Sequence, residues 1–219
     1  MKIFCVRIGE KYGEEYEDYI EDKLSDYDVH WIRQPFDNRV ELQWNKMLPM
    51  NLDIDEPVCV MDIDVILANA YKKIFDYPIQ RGEFLGAPDW WQDRDDYHLN
   101  GGFFKYYPKD CKYIFDKFMK DPKYWQQHYI QNGTTIGPVN GEQYFVEDSV
   151  NEQLTLKLLP DAWFTRWMHD GSADWNFNIN KLYMKKTGNE FLNMGDFHPD
   201  IKFIHYTFAT NKPNHNELF

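Results

Sequence analysis

The sequence predicts an α/β domain in which helices flank a mostly parallel central sheet. Apolar, β-rich segments at 2–9, 28–32 and 56–64 alternate with segments of helical periodicity at 12–25 and 38–50. This order of strand, helix, strand, helix and strand within about 60 residues is typical of crossover units, which join parallel strands. In sheets of this kind, ligands bind beyond the carboxyl ends of the strands.

The remainder of the chain is less regular. Strands are expected at 83–88, 100–107 and 201–206, and helices at 109–121 and 147–158. The second of these helices opens with acidic residues, as helix N-termini commonly do. A loop spaced by glycines leads into it, and these glycines are Gly133, Gly137 and Gly141. Because this length can bury one full core, we expect a single domain over residues 1–219.

Composition narrows the classes of function. The formal net charge is −12, from 36 acidic and 24 basic residues. A nucleic-acid surface is not expected, because it needs clustered lysine and arginine. No apolar run approaches the roughly 18 residues of a membrane helix, and no signal peptide is readable. The widely spaced Cys5, Cys59 and Cys111 suit buried thiols in a reducing compartment, so we expect a cytoplasmic protein without a membrane span.

Two aspartates follow the third predicted strand, in the stretch "VCVMDIDVIL" at 58–67. Asp62 and Asp64 repel one another unless a cation lies between them, and hard oxygen ligands suit Mg²⁺ or Mn²⁺, which bind diphosphates. The alternative is that these aspartates form a turn or cap a helix. Their position at the carboxyl edge of the predicted sheet favours a metal site.

Four segments occur in an order that matches a known family. They are "MDIDV" (61–65), "LNGGFF" (99–104), "VEDSVN" (146–151) and "FIHYTFATNKP" (203–213). This order resembles the nucleotide-sugar glycosyltransferases of the GT-A fold, nearest to the glycogenin-like and bacterial galactosyltransferase group. The resemblance runs through nearly the whole chain. It implies a Rossmann-like, mostly parallel or mixed central sheet flanked by helices.

The resemblance also implies how the chain is divided and where the metal binds. A nucleotide-binding half would span about residues 1–105 and an acceptor half about 106–219. Asp62 and Asp64 would bind Mn²⁺ or Mg²⁺ and, with Ile63 between them, the donor diphosphate. His205 would supply a further metal ligand, although a histidine in an apolar strand is, taken alone, more often part of the core.

Further donor contacts follow from the same resemblance. Asn100, Gly101 and Gly102 match the family's segment beside the donor sugar, and Lys46 matches a basic residue that faces the donor. Arg7, at the end of the first strand, could add a second cationic contact. Each has a structural alternative: the Asn-Gly-Gly segment could be a hairpin or bulge, and Arg7 could pair with any of the 36 carboxylates.

The sequence departs from the family at the expected catalytic positions. The family's D-Q-D-x-L-N appears as "VEDSVN", Phe208 replaces a glycine, and Lys212 lies one residue later than expected. These changes argue against the family's retaining stereochemistry. Glu147 and Asp148 resemble the acidic pair of inverting GT-A enzymes, where an aspartate at a helix start is the base. We therefore expect Asp148, or failing that Glu147, to accept the proton of an acceptor hydroxyl, although both could merely favour the helix N-terminus.

In size and overall pattern, the chain is similar to the glycosyltransferase domains that build capsid glycans in large algal viruses. This resemblance implies UDP-glucose or UDP-rhamnose as candidate donors and a glycan or glycoprotein as acceptor. It also implies the host cytoplasm as the location.

A phosphatase is the main alternative. The stretch "DIDVIL" approximates the opening motif of the haloacid dehalogenase-like phosphatases, in which Asp62 would be the nucleophile. The stretch "GDFHPD" at 195–200 would then supply Asp196 and Asp200 as metal ligands. Against this, Ile66 stands where threonine or valine is usual, and the motif follows the third predicted strand instead of the first.

A non-catalytic carbohydrate-binding module is a further alternative. Trp90 and Trp91 lie in a polar loop and could stack on sugar rings. A chain with eight tryptophans must, however, bury many of them, and the spacing of Trp163 and Trp167 favours a place in the core. This alternative leaves the paired aspartates without a function.

Overall fold

The structure is a computed structural model that describes residues 1–89, 98–131, 141–166 and 199–206. The chain forms two compact units. The first comprises Met1–Ile63, Pro78–Gly86 and Leu99–Leu158, and the second comprises Asp64–Tyr77, Ala87–His98 and Leu159–Phe219. The units interleave along the chain, with segments of each on both sides of residue 105. A division into nucleotide-binding and acceptor halves therefore stays a prediction, as does the single domain.

The strands of the described residues form two sheets. In chain order the strands are β1 (Lys2–Val6), β2 (Asp28–Ile32), β3 (Val58–Met61), β4 (Val65–Leu67), β5 (Glu83–Pro88), β6 (Leu99–Tyr106), β7 (Thr155–Leu158), β8 (Phe164–Arg166) and β9 (Phe203–His205). The larger sheet has six strands in the order β2-β1-β3-β6-β5-β7. Strand β1 is parallel to β2 and β3, β5 is parallel to β7, and β6 is antiparallel to β3. The predicted mixed sheet is confirmed.

The burial of the central strand β3 explains why the sequence indicates where the carboxyl edge of the sheet lies. All four residues of β3 are buried, which is why its sequence is a continuous apolar run, as in strands covered on both faces. In the register of β1 and β3, Cys5 lies beside Met61. Arg7 and Asp62 therefore both follow the carboxyl ends of neighbouring parallel strands.

The described residues form four α-helices in the first unit and a short one in the second. Those of the first unit are α1 (Glu14–Lys23), α3 (Pro108–Lys120), α4 (Pro122–Gln131) and α5 (Gly141–Gln153), and that of the second unit is α2 (Lys72–Phe75). The predicted helices at 12–25 and 109–121 are confirmed as α1 and α3, whereas α4 was not predicted. Helix α3 buries Cys111, Ile114 and Phe118. The ring of Trp44 stacks on Phe118 in the main core, with 5.4 Å between ring centroids.

Three segments differ from the sequence prediction. The predicted helix at 38–50 is a 3₁₀ helix over Leu42–Asn51 that contains Pro49, a residue unable to donate a helical backbone hydrogen bond. The predicted helix at 147–158 is wrong at both ends, since α5 begins at Gly141 and ends at Gln153. Residues Thr155–Leu158 form β7, whose alternating exposed and half-buried residues follow the period of a strand.

The second unit contains the smaller sheet. Its three strands have the order β4-β9-β8, with β4 antiparallel and β8 parallel to β9. The strand predicted at 201–206 is confirmed as β9, whereas β4 was not predicted. Trp163 is half-buried and packs its ring edge-on against Tyr77 at 5.8 Å.

Several predicted features lie outside the described residues. They are Trp90, Trp91, Gly133, Gly137, Trp167, Asp196, Phe208 and Lys212. Cys5, Cys59 and Cys111 are all buried, as predicted. Among the described helices, none has the length and apolar composition that crossing a membrane requires.

Candidate functional site

Asp62 lies at the carboxyl edge of the six-stranded sheet, directly after β3. Its backbone N–H donates a hydrogen bond to the carbonyl oxygen of Gly102 in the neighbouring strand β6, at 2.9 Å. Its carboxylate Oδ1 lies 2.6 Å from Nζ of Lys46. The side chain of Asp62 keeps 24% of its surface exposed, whereas that of Lys46 keeps only 3%. The carboxylate of Asp62 is therefore partly accessible and is paired with a buried cation.

The ammonium group of Lys46 has three polar contacts with described residues. Besides Asp62, Nζ donates to the carbonyl oxygen of Gly101 at 2.8 Å and contacts Oε1 of Glu142 at 3.2 Å. Burial alone would lower the pKa of Lys46, but the charges of Asp62 and Glu142 and its hydrogen bonds to them raise that pKa above its ordinary value. Lys46 is therefore a buried, charged lysine. Its predicted contact with a donor stays a prediction.

Glu142, in the first turn of α5, is a site residue that the sequence reasoning missed. It is 3% exposed, and its Oε2 is buried without a hydrogen-bond partner in the described part of the chain. Burial raises the pKa of Glu142, against the opposing charge of Lys46. One signal was available in the sequence. Glu142 precedes Phe145 and Val146 by three and four residues, which places a charge on the buried face of the helix.

The segment Asn100–Gly102 lies within β6 and is buried, so it is not the turn of a hairpin. Its predicted contact with the donor sugar stays a prediction. Oδ1 of Asn100 accepts a hydrogen bond from the backbone N–H of Gly102 at 2.8 Å. The N–H of Gly101 donates to Oε1 of Gln143 at 3.1 Å. A Cβ atom on Gly101 would lie 2.6 Å from Oε1 of Glu142. Glycine at this position therefore lets the start of α5 approach the strand.

Asp64 and His205 form a pair in the second unit. The antiparallel register places Val65 opposite His205, and the backbone N–H of Tyr206 donates to the carbonyl oxygen of Asp64 at 2.9 Å. The ring Nε2 of His205 lies 3.1 Å from Oδ1 of Asp64. Asp64 is 8% exposed. Two neighbouring strands thus fix an aspartate and a histidine against each other.

The three predicted metal ligands are Asp62, Asp64, which follows Asp62 by two residues, and His205. One ligand atom from each of Asp62, Asp64 and His205 lies within 4.8 Å of those of the other two. Carboxylate oxygens and an imidazole nitrogen are suitable ligands for Mn²⁺ or Mg²⁺. The donor set therefore fits a divalent cation. Ile63, between the two aspartates, is 3% exposed and belongs to the core.

The guanidinium group of Arg7 forms hydrogen bonds with other residues of the protein. Its Nε donates to Oε1 of Glu17, and its guanidinium also donates to the carbonyl oxygen of Tyr12 at 3.2 Å. Arg33 binds Glu17 with Nε and Nη2, at 3.1 and 2.6 Å. Burial alone would raise the pKa of Glu17, but its bonds to Arg33 and Arg7 bring that pKa below its ordinary value. The carboxylate predicted as an alternative partner of Arg7 is therefore Glu17, and a contact of Arg7 with the donor stays a prediction.

Glu147 and Asp148 lie in the middle of α5, not at its start. The expected position at a helix start is therefore wrong, because α5 begins at Gly141, six residues before Glu147. Their role as base stays a prediction. Glu147 is 9% exposed, and its Oε2 accepts a hydrogen bond from the backbone N–H of Leu99 at 2.9 Å. Asp148 is exposed, and its Oδ2 accepts a hydrogen bond from the hydroxyl of Tyr129 at 2.7 Å. Of the two, Asp148 is accessible to an acceptor.

Solved structures with a similar fold exist, although no match was found by sequence. No family model matches the chain, and no curated protein sequence matches it. Among solved structures, the glycosyltransferase GlyE of Streptococcus pneumoniae matches 95% of this chain and 55% of its own, with a TM-score of 0.56 and 11% identity. The galactosyltransferase LgtC, in complex with donor and acceptor sugar analogs, matches 95% of this chain and 88% of its own, with a TM-score of 0.50 and 9% identity.

A third similar structure is mouse xyloside xylosyltransferase 1. It matches 97% of this chain and 86% of its own, with a TM-score of 0.50 and 11% identity. The chain therefore has the mixed α/β architecture of the GT-A glycosyltransferases, as predicted. At such low identity the likeness concerns the fold, and function has to be argued from the site.

Proposed function

We propose that this protein is a metal-dependent glycosyltransferase that moves a sugar from a UDP-sugar to a hydroxyl group of a glycan acceptor. The observation that carries the proposal is the group of Asp62, which follows the central strand β3, with Asp64 and His205, in a fold shared with solved glycosyltransferases. UDP-glucose and UDP-rhamnose are the candidate donors. The choice of uridine, and of a viral capsid glycan as acceptor, rests on sequence resemblance alone.

Asp62, Asp64 and His205 would hold Mn²⁺ or Mg²⁺. When bound, such an ion acts as a Lewis acid that neutralises charge on the departing nucleoside diphosphate. The buried carboxylate of Asp64 and the ring of His205 are already fixed against each other by β4 and β9. Little reorganisation of these side chains is then needed on binding, which favours catalysis by preorganised charge.

Asp148 is the proposed general base. Its carboxylate is exposed and is oriented by the Tyr129 hydroxyl. It would accept the proton of the acceptor hydroxyl as that oxygen attacks the anomeric carbon and the bond to the diphosphate breaks. A single displacement of this kind inverts the anomeric configuration. Glu147 is the weaker candidate, because its carboxylate is buried and bound to the Leu99 N–H.

The expected partners are a nucleotide-sugar donor and a glycan or glycoprotein acceptor. We expect no nucleic-acid partner, because the net charge is −12. A cytoplasmic location, in the host cell if the protein is viral, stays a prediction. A haloacid dehalogenase-like phosphatase with Asp62 as nucleophile is the first alternative, and it would release phosphate from a generic aryl phosphate. A carbohydrate-binding module without turnover is the second alternative, and it would bind glycans independently of metal.

A thermal-unfolding experiment tests the donor site. A ligand that binds only the native protein raises its melting temperature. We expect UDP with Mn²⁺ to raise the melting temperature, and UDP with EDTA to have a much smaller effect. The Asp64→Asn variant should lose the metal-dependent part of the shift. If no nucleoside diphosphate changes the melting temperature in the presence of Mn²⁺, the donor site is refuted.

A further inference from the structure

The buried cation at Asp62 raises an electrostatic problem for a metal site. A lysine ammonium group beside a carboxylate competes with a metal ion for the negative charge and repels the ion directly. Lys46 Nζ lies 2.6 Å from Asp62 Oδ1 and is nearly inaccessible to solvent. If Lys46 were the only charged neighbour of Asp62, the pair would have no net negative charge to attract a metal ion. The site therefore needs a further negative charge.

Glu142 provides that charge from inside the protein. Its Oε1 lies 3.2 Å from Lys46 Nζ, and the residue is 3% exposed. Lys46 and Glu142 together are neutral, so the group of Lys46, Glu142 and Asp62 has a net charge of one negative unit, from one lysine and two carboxylates. The charge of Asp62 is thereby restored.

The geometry indicates that Lys46 serves the protein itself. An ammonium group has three donors. Three acceptors surround Nζ: Oδ1 of Asp62, Oε1 of Glu142 and the carbonyl oxygen of Gly101. Within the described part of the chain, these three acceptors match the three donors of the ammonium group. Lys46 joins β6 and α5 to the aspartate that follows β3.

The second oxygen of Glu142 indicates that the charge of this residue matters more than its shape. Oε2 is buried and has no hydrogen-bond partner among the described residues. A buried carboxylate with one unsatisfied oxygen is costly, and a glutamine of the same shape would keep Oε1 as acceptor without that charge. A carboxylate at this position is therefore best explained by the need for a negative charge next to Lys46.

We propose that Lys46 and Glu142 are positioning residues for Asp62: Lys46 fixes the orientation of the carboxylate, and Glu142 cancels the charge of Lys46 so that Asp62 still attracts a divalent cation. The inference rests on the proposed function, because it takes Asp62 as a metal ligand. It assigns Glu142 a function in metal affinity without contact with the metal.

The affinity for Mn²⁺, measured by electron paramagnetic resonance in the presence of UDP, tests the inference. Glu142→Gln keeps the shape and removes the charge, and we expect about tenfold weaker Mn²⁺ binding. Glu142→Asp keeps the charge in a shorter side chain, and we expect affinity within about threefold of the wild type. A role in packing predicts the reverse order. The matched control is Glu152→Gln on the same helix, where an exposed glutamate pairs with Lys117; its Mn²⁺ affinity should not change.

A double variant distinguishes an effect of charge from an effect of misfolding in a single variant. Lys46→Met with Glu142→Gln removes both charges, and Mn²⁺ affinity should recover to within about threefold of the wild type. The inference is overturned if Glu142→Gln binds Mn²⁺ within twofold of the wild type, or if the double variant binds no tighter than Glu142→Gln. Wild-type protein that binds no Mn²⁺ would instead refute the metal site itself, and the inference with it.

Discussion

Nζ of Lys46 lies 2.6 Å from Oδ1 of Asp62, with the lysine side chain 3% exposed and the aspartate 24% exposed. The charge of Lys46 is paired within the protein with Asp62 and Glu142. Removing one partner from a buried charge pair is strongly destabilising, because the other charge is left uncompensated. The pair therefore links the stability of this part of the sheet to the orientation of the Asp62 carboxylate.

Asp64→Asn should remove turnover while leaving the protein folded. The amide keeps an oxygen for the contact with His205 but loses the charge that holds a divalent cation. We expect turnover to fall by about a hundredfold or more. The measurement is the release of UDP from a nucleotide sugar at saturating Mn²⁺. The control Asp116→Asn changes an exposed aspartate that pairs with Lys112, and turnover equally reduced in both variants would contradict the assignment.

Asp148→Asn and Glu147→Gln should differ in their effect on the chemical step. Asparagine cannot accept the proton, so turnover should fall by about a hundredfold to ten-thousandfold. Glutamine at 147 keeps an oxygen that can accept the hydrogen bond of the Leu99 N–H, so turnover should change by less than about threefold. The reverse order would make Glu147 the base. NMR of the product anomer completes this test, since a retained configuration would rule out single displacement.

Gly101→Ala should destabilise the protein, because the added Cβ would lie 2.6 Å from Oε1 of the buried Glu142. We expect the free energy of unfolding in urea to fall by about 1–3 kcal/mol. In the background of Glu142→Asp, the carboxylate is withdrawn by one methylene group and the loss should be smaller. If Gly101→Ala unfolds at the same urea concentration as the wild type, the close approach of α5 to β6 is refuted.

Glu17→Gln should remove a stabilisation that depends on pH. The pKa of Glu17 lies below its ordinary value of 4.5 in the folded protein, so its contribution is fully present above pH 4.5 and is lost as the pH falls through the folded pKa. At pH 7 we expect a loss of about 2–3 kcal/mol in the free energy of unfolding.

Urea unfolding of the same variant at low pH provides the check. When the pH lies well below the folded pKa, the wild type and Glu17→Gln should converge. Asp18→Asn, at the next and exposed position of α1, is the control, and it should lie within about 0.5 kcal/mol of the wild type at both pH values. A difference that stays constant with pH would mean that the charge of Glu17 does not stabilise the fold.

The first half of the fold could be predicted because local patterns determine it. Strand β3 is buried along its whole length, and its apolar run ends at Asp62, so the edge of the sheet could be located in the sequence. Helix α5 could not be located in this way. Glu142 and Glu147 are buried within it, and their charges interrupt the apolar pattern on which a helix prediction depends.

The charge network at the site could not be predicted from local patterns at all. Lys46 and Glu142 are 96 residues apart in the sequence. The spacing of Glu142 to Phe145 and Val146 indicates the buried face of a helix, but nothing in either segment indicates that Glu142 pairs with Lys46. The pairing depends on β6 lying beside β3, which brings the start of α5 to Lys46. Asp62, Asp64 and His205 were found instead because a resemblance in the order of motifs supplied the distant histidine.

The production of UDP from nucleotide sugars tests the central claim most directly. Wild-type protein would be incubated with Mn²⁺ and a panel that includes UDP-glucose and UDP-rhamnose, with and without glycan acceptors, and UDP would be measured. We predict release of UDP from at least one of these donors, its loss on addition of EDTA, and its loss in the Asp64→Asn variant. Release that is unaffected by EDTA and by Asp64→Asn, or no release from any donor in the panel, would contradict a metal-dependent glycosyltransferase.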